Sequence, residues 1–79
     1  MEKPKIKVYS TSACPYCVYA KDFIKGLGYE FEDINVGIDQ KAAMEMVQKS
    51  GQMGVPVIEI NGQIIIGFDK AGIMRALGK

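Results

Sequence analysis

The chain has 79 residues, of which 48% are hydrophobic and 24% charged, a composition typical of one small globular domain. Ten basic and nine acidic side chains leave a net charge of +1, which gives no support to binding of nucleic acid or an anionic membrane through bulk charge. There is no histidine, so Ser-His-Asp, Cys-His and histidine–metal chemistry are excluded within the chain. Both cysteines lie in one tetrapeptide, which argues against a disulfide-stapled secreted domain.

The first predicted elements are a strand and a helix. Residues 5–10 alternate polar and apolar side chains, two of them β-branched, which predicts a strand. Proline suits the first position of a helix because its missing N–H would have no partner there, so the helix is placed from Pro15. It ends near Gly26 and Gly28. Its apolar face contains Ala20, Phe23, Ile24 and Leu27.

A second strand and a second helix follow. Residues 29–36 contain aromatic and β-branched side chains in partial alternation, which predicts a strand. Asp39 can cap the next helix, and Gly51 can end it. The apolar face of this helix contains Ala42, Ala43, Met46 and Val47.

The strongest local signal is a hairpin near the end of the chain. Residues 57–60 and 63–66 are short apolar runs separated by Asn61 and Gly62, a dipeptide that tolerates the positive φ values of a type I′ turn. Asp69 can then cap a short last helix. The buried side of that helix contains Ile73, Met74 and Leu77.

The predicted order is βαβαββα. A helix joins the first two strands, so a right-handed crossover places them parallel, whereas the hairpin adds an antiparallel pair. Helices one and three then cover one face of the sheet and helix two the other. Together with a CxxC motif beside a βαβ pattern, this predicts an α/β protein with a thioredoxin-like fold, a four-stranded mixed sheet flanked by three helices, as one domain over residues 1–79.

Cys14 and Cys17 are the candidate reactive residues. Side chains three residues apart in the first turn of a helix share a face, so their sulfurs can form a reversible disulfide. Cys14 lies where unpaired N–H groups and the helix dipole favour a thiolate, and we assign it as the nucleophile. Cys17, one turn further in, is the resolving thiol that attacks the mixed disulfide formed on Cys14. Thiol exchange needs no separate acid or base, so the lack of histidine is no obstacle.

The same motif has two other interpretations. A CxxC can be half of a zinc or iron–sulfur site, or two small residues packed in a core. Zinc needs four ligands, and one chain supplies two sulfurs and no imidazole, so a closed site would need carboxylates or a second chain. Pro15 also stiffens the segment between the cysteines. We expect a redox dithiol with no metal and no tightly bound cofactor, and an iron–sulfur or metal-binding module is the alternative.

Three correctly spaced motifs resemble those of the glutaredoxin family, and the resemblance covers nearly the whole chain. The motifs are Cys14-Pro15-Tyr16-Cys17, Gly54-Val55-Pro56 and Gly67-Phe68-Asp69. The resemblance implies a cis peptide bond before Pro56, with the Val55 backbone pairing to the cysteinyl part of glutathione or a bound peptide. It implies that Tyr16 borders the glutathione groove. It also implies that Asp69 and the N–H groups of Phe68 and Asp69 hold the γ-glutamyl end.

Each of these residues also has a structural interpretation. Pro56 can be a proline at the first residue of a strand, Asp69 a helix cap and Tyr16 a surface aromatic.

Other positions depart from the glutaredoxin pattern. The family usually has a lysine three residues before the nucleophile, where it pairs with the glycine carboxylate of glutathione, and this chain has Thr11. Ile66 and Gly54 replace a glycine and a threonine, changes also met among glutaredoxin-like redoxins that thioredoxin reductase reduces. Gln52 could donate to a carboxylate. Lys21 could raise the positive potential near the first helix, or it is a solvated charge on the helix face.

The sequence therefore predicts a glutaredoxin-like thiol–disulfide oxidoreductase that reduces protein or glutathione-mixed disulfides. Its expected partners are protein disulfides and an electron donor, either glutathione or a thioredoxin-reductase-like flavoenzyme. The predicted catalytic residues are Cys14 and Cys17. The predicted substrate-binding residues are Tyr16, Gln52, Val55, Pro56, Phe68 and Asp69, and the supporting ones are Pro15, Lys21 and Gly67. No segment resembles a signal region or a membrane span, and we expect a cytoplasmic monomer.

Overall fold

The computed structural model of the protein describes residues 4–78, which form seven elements in the predicted order. The strands are β1 (Ile6–Ser10), β2 (Glu32–Asn35), β3 (Val57–Ile60) and β4 (Gln63–Ile66). The helices are α1 (Pro15–Gly26), α2 (Gln40–Ser50) and α3 (Lys70–Ala76). Within this part of the chain no helix is long and apolar enough to cross a membrane.

The four strands form one mixed sheet in the order β2-β1-β3-β4. In β1, Val8 lies opposite Asp33 of the parallel strand β2 and opposite Ile58 of the antiparallel strand β3. β3 and β4 form the predicted hairpin, whose turn residues Asn61 (φ 50°) and Gly62 (φ 87°) have the left-handed backbone of a type I′ turn. The predicted parallel and antiparallel pairs are confirmed, whereas the sequence left the strand order open.

Helices cover both faces of the sheet, as predicted. α2 packs on one face over a small core of Tyr9, Met46 and Val57. α1 and α3 pack on the other face, over a larger core. The members of the larger core are Ile6, Val8, Ala20, Ile24, Ile58, Ile60, Ile65 and Ile73. β1 supplies both cores because adjacent residues of a strand, such as Val8 and Tyr9, point to opposite faces.

A polar cluster holds α2 to the sheet at the edge of the smaller core. The Tyr9 hydroxyl donates to Glu45 Oε1 at 3.1 Å and accepts from Lys49 Nζ at 3.4 Å. Lys49 also forms ion pairs with Glu45 at 3.0 Å and with Glu59 at 2.6 Å. Burial raises the pKa of Tyr9, and the hydrogen bond from Lys49 lowers the pKa of Glu45, so a neutral phenol meets a carboxylate. The cluster links β1, α2 and β3.

The second strand is shorter than predicted. β2 spans Glu32–Asn35, whereas we expected residues 29–36. The Tyr29 N–H donates to Ile24 O at 3.3 Å, so the chain is still bonded to the end of α1 there. The Val36 N–H donates to the last carbonyl of β1 at 2.8 Å, but the residue lies in the turn that follows and packs against the smaller core. Tyr29 and Val36, which have high strand propensity, thus pack against the protein core from positions outside β2.

Burial in the larger core predicts that alanine substitutions at two isoleucines differ in their effect on the free energy of unfolding. Ile58 is fully buried, so Ile58→Ala removes buried methylene groups and leaves a cavity, which should lower the free energy of unfolding by about 2–5 kcal/mol. Ile38 is 86% exposed, so Ile38→Ala should change it by less than about 0.5 kcal/mol. Urea unfolding followed by circular dichroism compares the two variants, and equal losses would contradict the assignment of the core.

Candidate active site

Cys14 is the residue that caps α1. Its backbone is extended (φ −105°, ψ 108°), and its Sγ accepts a hydrogen bond from the Cys17 N–H at 3.2 Å. Oxygen-bearing side chains usually fill this position, because the first N–H groups of a helix have no partner within it. A sulfur placed here is suited to carry negative charge, since an N–H group and the positive end of the helix face it. The predicted helix start, with Pro15 as its first residue, is confirmed.

Cys17 lies one turn further along α1 and is fully buried. Both cysteines are free thiols in the structure. Burial is the main cause that raises the pKa of Cys17 to about 11, followed by its hydrogen bond with Cys14, while the Thr11 backbone and the charge of Lys21 act in the opposite direction. A thiol that stays protonated and out of contact with solvent is suited to the second attack of an exchange reaction and not to the first.

Lys21 lies one turn after Cys17 on the same face of α1. Its Nζ is 3.1 Å from Asp33 Oδ2, and the other oxygen of Asp33 accepts a hydrogen bond from the buried Ser10 hydroxyl at 2.9 Å. Asp33 and Ser10 thus fix the ammonium group whose charge acts on Cys17. Sequence reasoning singled out Lys21 but missed these two residues. An aspartate within a predicted strand was the available signal, and its partners became visible only once β2 lay beside β1.

The loop before β3 faces Cys14. The Val55–Pro56 peptide bond is cis, as the family resemblance implied, and Pro56 is buried. Val55 O lies 3.9 Å from Cys14 Sγ, a distance that fits a weak S–H···O contact. The Gly67 N–H donates to Pro56 O at 2.8 Å and so ties the end of β4 to the same loop. The structure therefore places Val55 against Cys14 and connects the predicted Pro56 and Gly67 to the same loop.

Gln52 closes the loop that leads to Val55. Its Oε1 accepts from the Gly54 N–H at 2.9 Å, and its Nε2 donates to Gly54 O at 3.0 Å. A Cβ at position 54 would lie 2.7 Å from Gln52 Oε1, so a glycine fits beneath this amide where the family usually has a threonine. Gln52 thus shapes the loop. Its contact with a bound carboxylate stays a prediction.

The remaining predicted residues lie on α1 and at the start of α3. Asp69 caps α3 by accepting from the Gly72 N–H at 3.1 Å, which confirms the capping role. Phe68 is half-buried with its ring centroid 6.3 Å from that of Tyr19. Tyr16 is 62% exposed and meets Tyr19 edge-on at 5.9 Å. The contacts of these residues with a ligand stay predictions.

A metal centre was the alternative function of the CxxC motif. Between residues 4 and 78 no group of three or more cysteine, aspartate or glutamate side chains is placed to hold a metal ion. The metal-binding alternative therefore gains no support from this part of the chain.

Comparison with known sequences identifies the family. The sequence profile of the glutaredoxin family matches residues 6–65. A glutaredoxin-like 8.6 kDa protein of the rubredoxin operon of Clostridium pasteurianum is 47% identical over 74 residues, which cover 94% of this chain and 99% of that protein. The chain belongs to the glutaredoxin family.

Solved structures agree with this assignment. The thioredoxin-like protein BC3987 has a TM-score of 0.85 at 28% identity, over 91% of this chain and 99% of that one. A buckwheat glutaredoxin in complex with glutathione has a TM-score of 0.76 at 26% identity, over 96% of this chain and 72% of that one. The fold is thioredoxin-like, as predicted, and membership of the glutaredoxin family supports a role as a thiol–disulfide oxidoreductase.

The two thiols should differ in reactivity. Cys17→Ser leaves only Cys14 at the helix start, and it should react with iodoacetamide at pH 7 at least about tenfold faster than Cys14→Ser, which leaves only the buried Cys17. Because thiolate is the reacting form and burial, the main cause of the raised pKa of Cys17, remains in the Cys14→Ser variant, its rate should climb as the pH rises above 9. Mass spectrometry measures both rates. Equal rates at pH 7 would contradict the assigned roles.

Proposed function

We propose that the protein reduces protein disulfides and glutathione mixed disulfides by cycling Cys14 and Cys17 between the dithiol and the disulfide. The observation that carries this proposal is the position of Cys14 Sγ, which caps α1 at 3.2 Å from the Cys17 N–H and lies 3.9 Å from Val55 O. A reactive sulfur, a backbone edge for the substrate and a second sulfur behind the first are the parts that thiol exchange requires.

In the first step the Cys14 thiolate attacks one sulfur of the substrate disulfide. The substrate S–S bond breaks, a bond forms between Cys14 Sγ and the attacked sulfur, and the other substrate sulfur leaves as a thiolate that takes up a proton. The Cys17 N–H, together with the positive end of α1, favours negative charge on the Cys14 sulfur before it reacts. Val55 supports this step because an extended substrate segment can pair with its backbone and so hold the attacked sulfur close to Cys14.

In the second step Cys17 attacks Cys14 Sγ. Burial, the main cause of the raised pKa of Cys17, persists in the mixed disulfide, whereas the hydrogen bond and the charge of Cys14, which also raise this pKa, are lost there. Cys17 then gives up its proton more easily, with Lys21 nearby to favour the thiolate. The new Cys14–Cys17 bond forms, the substrate leaves with its second thiol free, and two electrons have passed to it. The environment of Cys17 thus favours attack more after the first step than before it.

The oxidised protein must regain two electrons from a donor. Family membership supports glutathione. Thr11 and the half-exposed Ile66 support a thioredoxin-reductase-like flavoenzyme instead, because they stand where glutaredoxins have a lysine and a glycine in the glutathione groove. Two assays separate the donors: NADPH with a thioredoxin reductase, and NADPH with glutathione and glutathione reductase.

Single cysteine variants test the cycle. Cys14→Ser should lose all turnover, since the thiol that remains, Cys17, is fully buried. Cys17→Ser should keep activity on glutathionylated substrates while losing it on protein disulfides, because only the latter need a resolving thiol. Release of the substrate thiol measures both activities. Equal losses of both variants on a glutathionylated peptide would refute the assigned order of attack.

Restoring the family lysine tests the glutathione groove. Thr11→Lys should lower the KM for glutathione by about three- to tenfold, because an ammonium group can pair with the glycine carboxylate. Ala13→Lys is the control, since it adds the same charge two residues further on. Steady-state kinetics at varied glutathione concentration measure the effect. Equal changes in the two variants would show that bulk charge and not position matters.

A further inference from the structure

The two edges of the sheet differ in how they are protected from pairing with another strand. β2 forms one edge and begins with the exposed, charged residues Glu32 and Asp33. Charged side chains on an edge strand discourage pairing. β4 forms the other edge, carries no charged side chain over its four residues, and leaves Ile66 53% exposed. Among residues 4–78, β4 is therefore the sheet edge that has no charged side chain of its own to discourage pairing.

The hairpin determines which backbone groups of β4 point outward. Ile60 and Gln63 flank the two-residue turn, and in such a hairpin this pair exchanges both of its hydrogen bonds. Bonding alternates along an antiparallel pair, so the N–H and C=O groups of Ile64 and Ile66 point away from β3. The Gly67 N–H follows the same alternation, since it points inward to Pro56 O.

We propose that β4 pairs antiparallel with β4 of a second copy of this chain across a two-fold axis, with Ile65 opposite the partner's Ile65. In this register Ile64 exchanges two backbone hydrogen bonds with Ile66 of the partner subunit, and the symmetric pair adds two more. The exposed Ile66 then packs beside the partner's Ile64 on the same face of a continuous eight-stranded sheet.

The charges beside β4 favour a second copy as the occupant. α3 runs back along β4, since a Cβ at Gly72 would touch Ile65 and since Gln63, Asp69 and Arg75 line one groove. Asp69 therefore lies near one end of this groove and Arg75 toward the other. Antiparallel pairing brings the acidic end of each groove to the basic end of the other groove. Asp69 then lies opposite the partner's Arg75, and the two-fold axis generates this pair a second time. An unrelated extended peptide would gain the backbone bonds without these two reciprocal pairs.

The small area of the proposed interface predicts a weak association between the two copies. Each copy contributes four strand residues and the rim of one groove, and interfaces of this size belong to weak, transient complexes. We expect a monomer at micromolar concentration, in line with the sequence, and a dimer at roughly 0.1–1 mM.

Sedimentation velocity under reducing conditions, from about 10 μM to about 1 mM, measures the dissociation constant without intermolecular disulfides. Ile66→Lys places two positive charges in the paired strands and should raise this constant at least about tenfold. Ile38→Lys is the matched control, because the same change falls on a side chain that is 86% exposed and outside β4. Amide exchange of the wild type should slow at Ile64 and Ile66 as concentration rises.

A second variant keeps the test valid if Ile66→Lys fails to fold. Arg75→Glu leaves β4 untouched and opposes like charges across the two-fold axis, so it should also weaken the dimer, whereas Lys41→Glu, at an exposed position of α2, should not. A single species of monomer mass up to about 1 mM would overturn the proposal. So would a dimer that both β4-side variants leave unchanged, with no slowing of exchange at Ile64 and Ile66.

Discussion

The hydrogen bond from the Cys17 N–H to the sulfur of Cys14 is the contact on which both the helix and the chemistry depend. A helix leaves the N–H groups of its first turn without partners inside the helix, and in α1 the Cys14 sulfur accepts from one of them. The same contact keeps the sulfur at the helix start, where Val55 O faces it, and leaves Cys17 one turn deeper in the core. The candidate nucleophile therefore fills the capping position of α1.

Most of the fold could be predicted because its signals are local. Asp39 and Asp69 cap α2 and α3 as expected, and Asn61 and Gly62 form the expected turn. β2 was predicted too long because aromatic and β-branched residues indicate burial on a strand and burial beside one equally well. The strand order depends on contacts between distant segments, which no local pattern carries.

The candidate site likewise has one part that local sequence patterns predict and another that depends on tertiary contacts. The CxxC motif determines which sulfurs lie together, so Cys14 and Cys17 could be assigned from spacing alone. The closure of Gln52 over Gly54 and the bond from Ser10 to Asp33 depend on where loops and strands meet in space. The raised pKa of Cys17 likewise depends on burial, which follows from tertiary packing and not from the motif.

The placement of Val55 against the smaller core has a wider consequence. Val55 packs with Tyr9, Met46 and Val57 beneath α2, and the segment from the end of α2 to β3 is the one that faces the reactive sulfur. The side chains that keep α2 in place are thus also those that set the shape of the loop before β3. In so small a core, thermal stability and substrate selectivity depend on the same few side chains. A substitution that changes one of these properties is therefore expected to change the other, which limits how far evolution can adjust either alone.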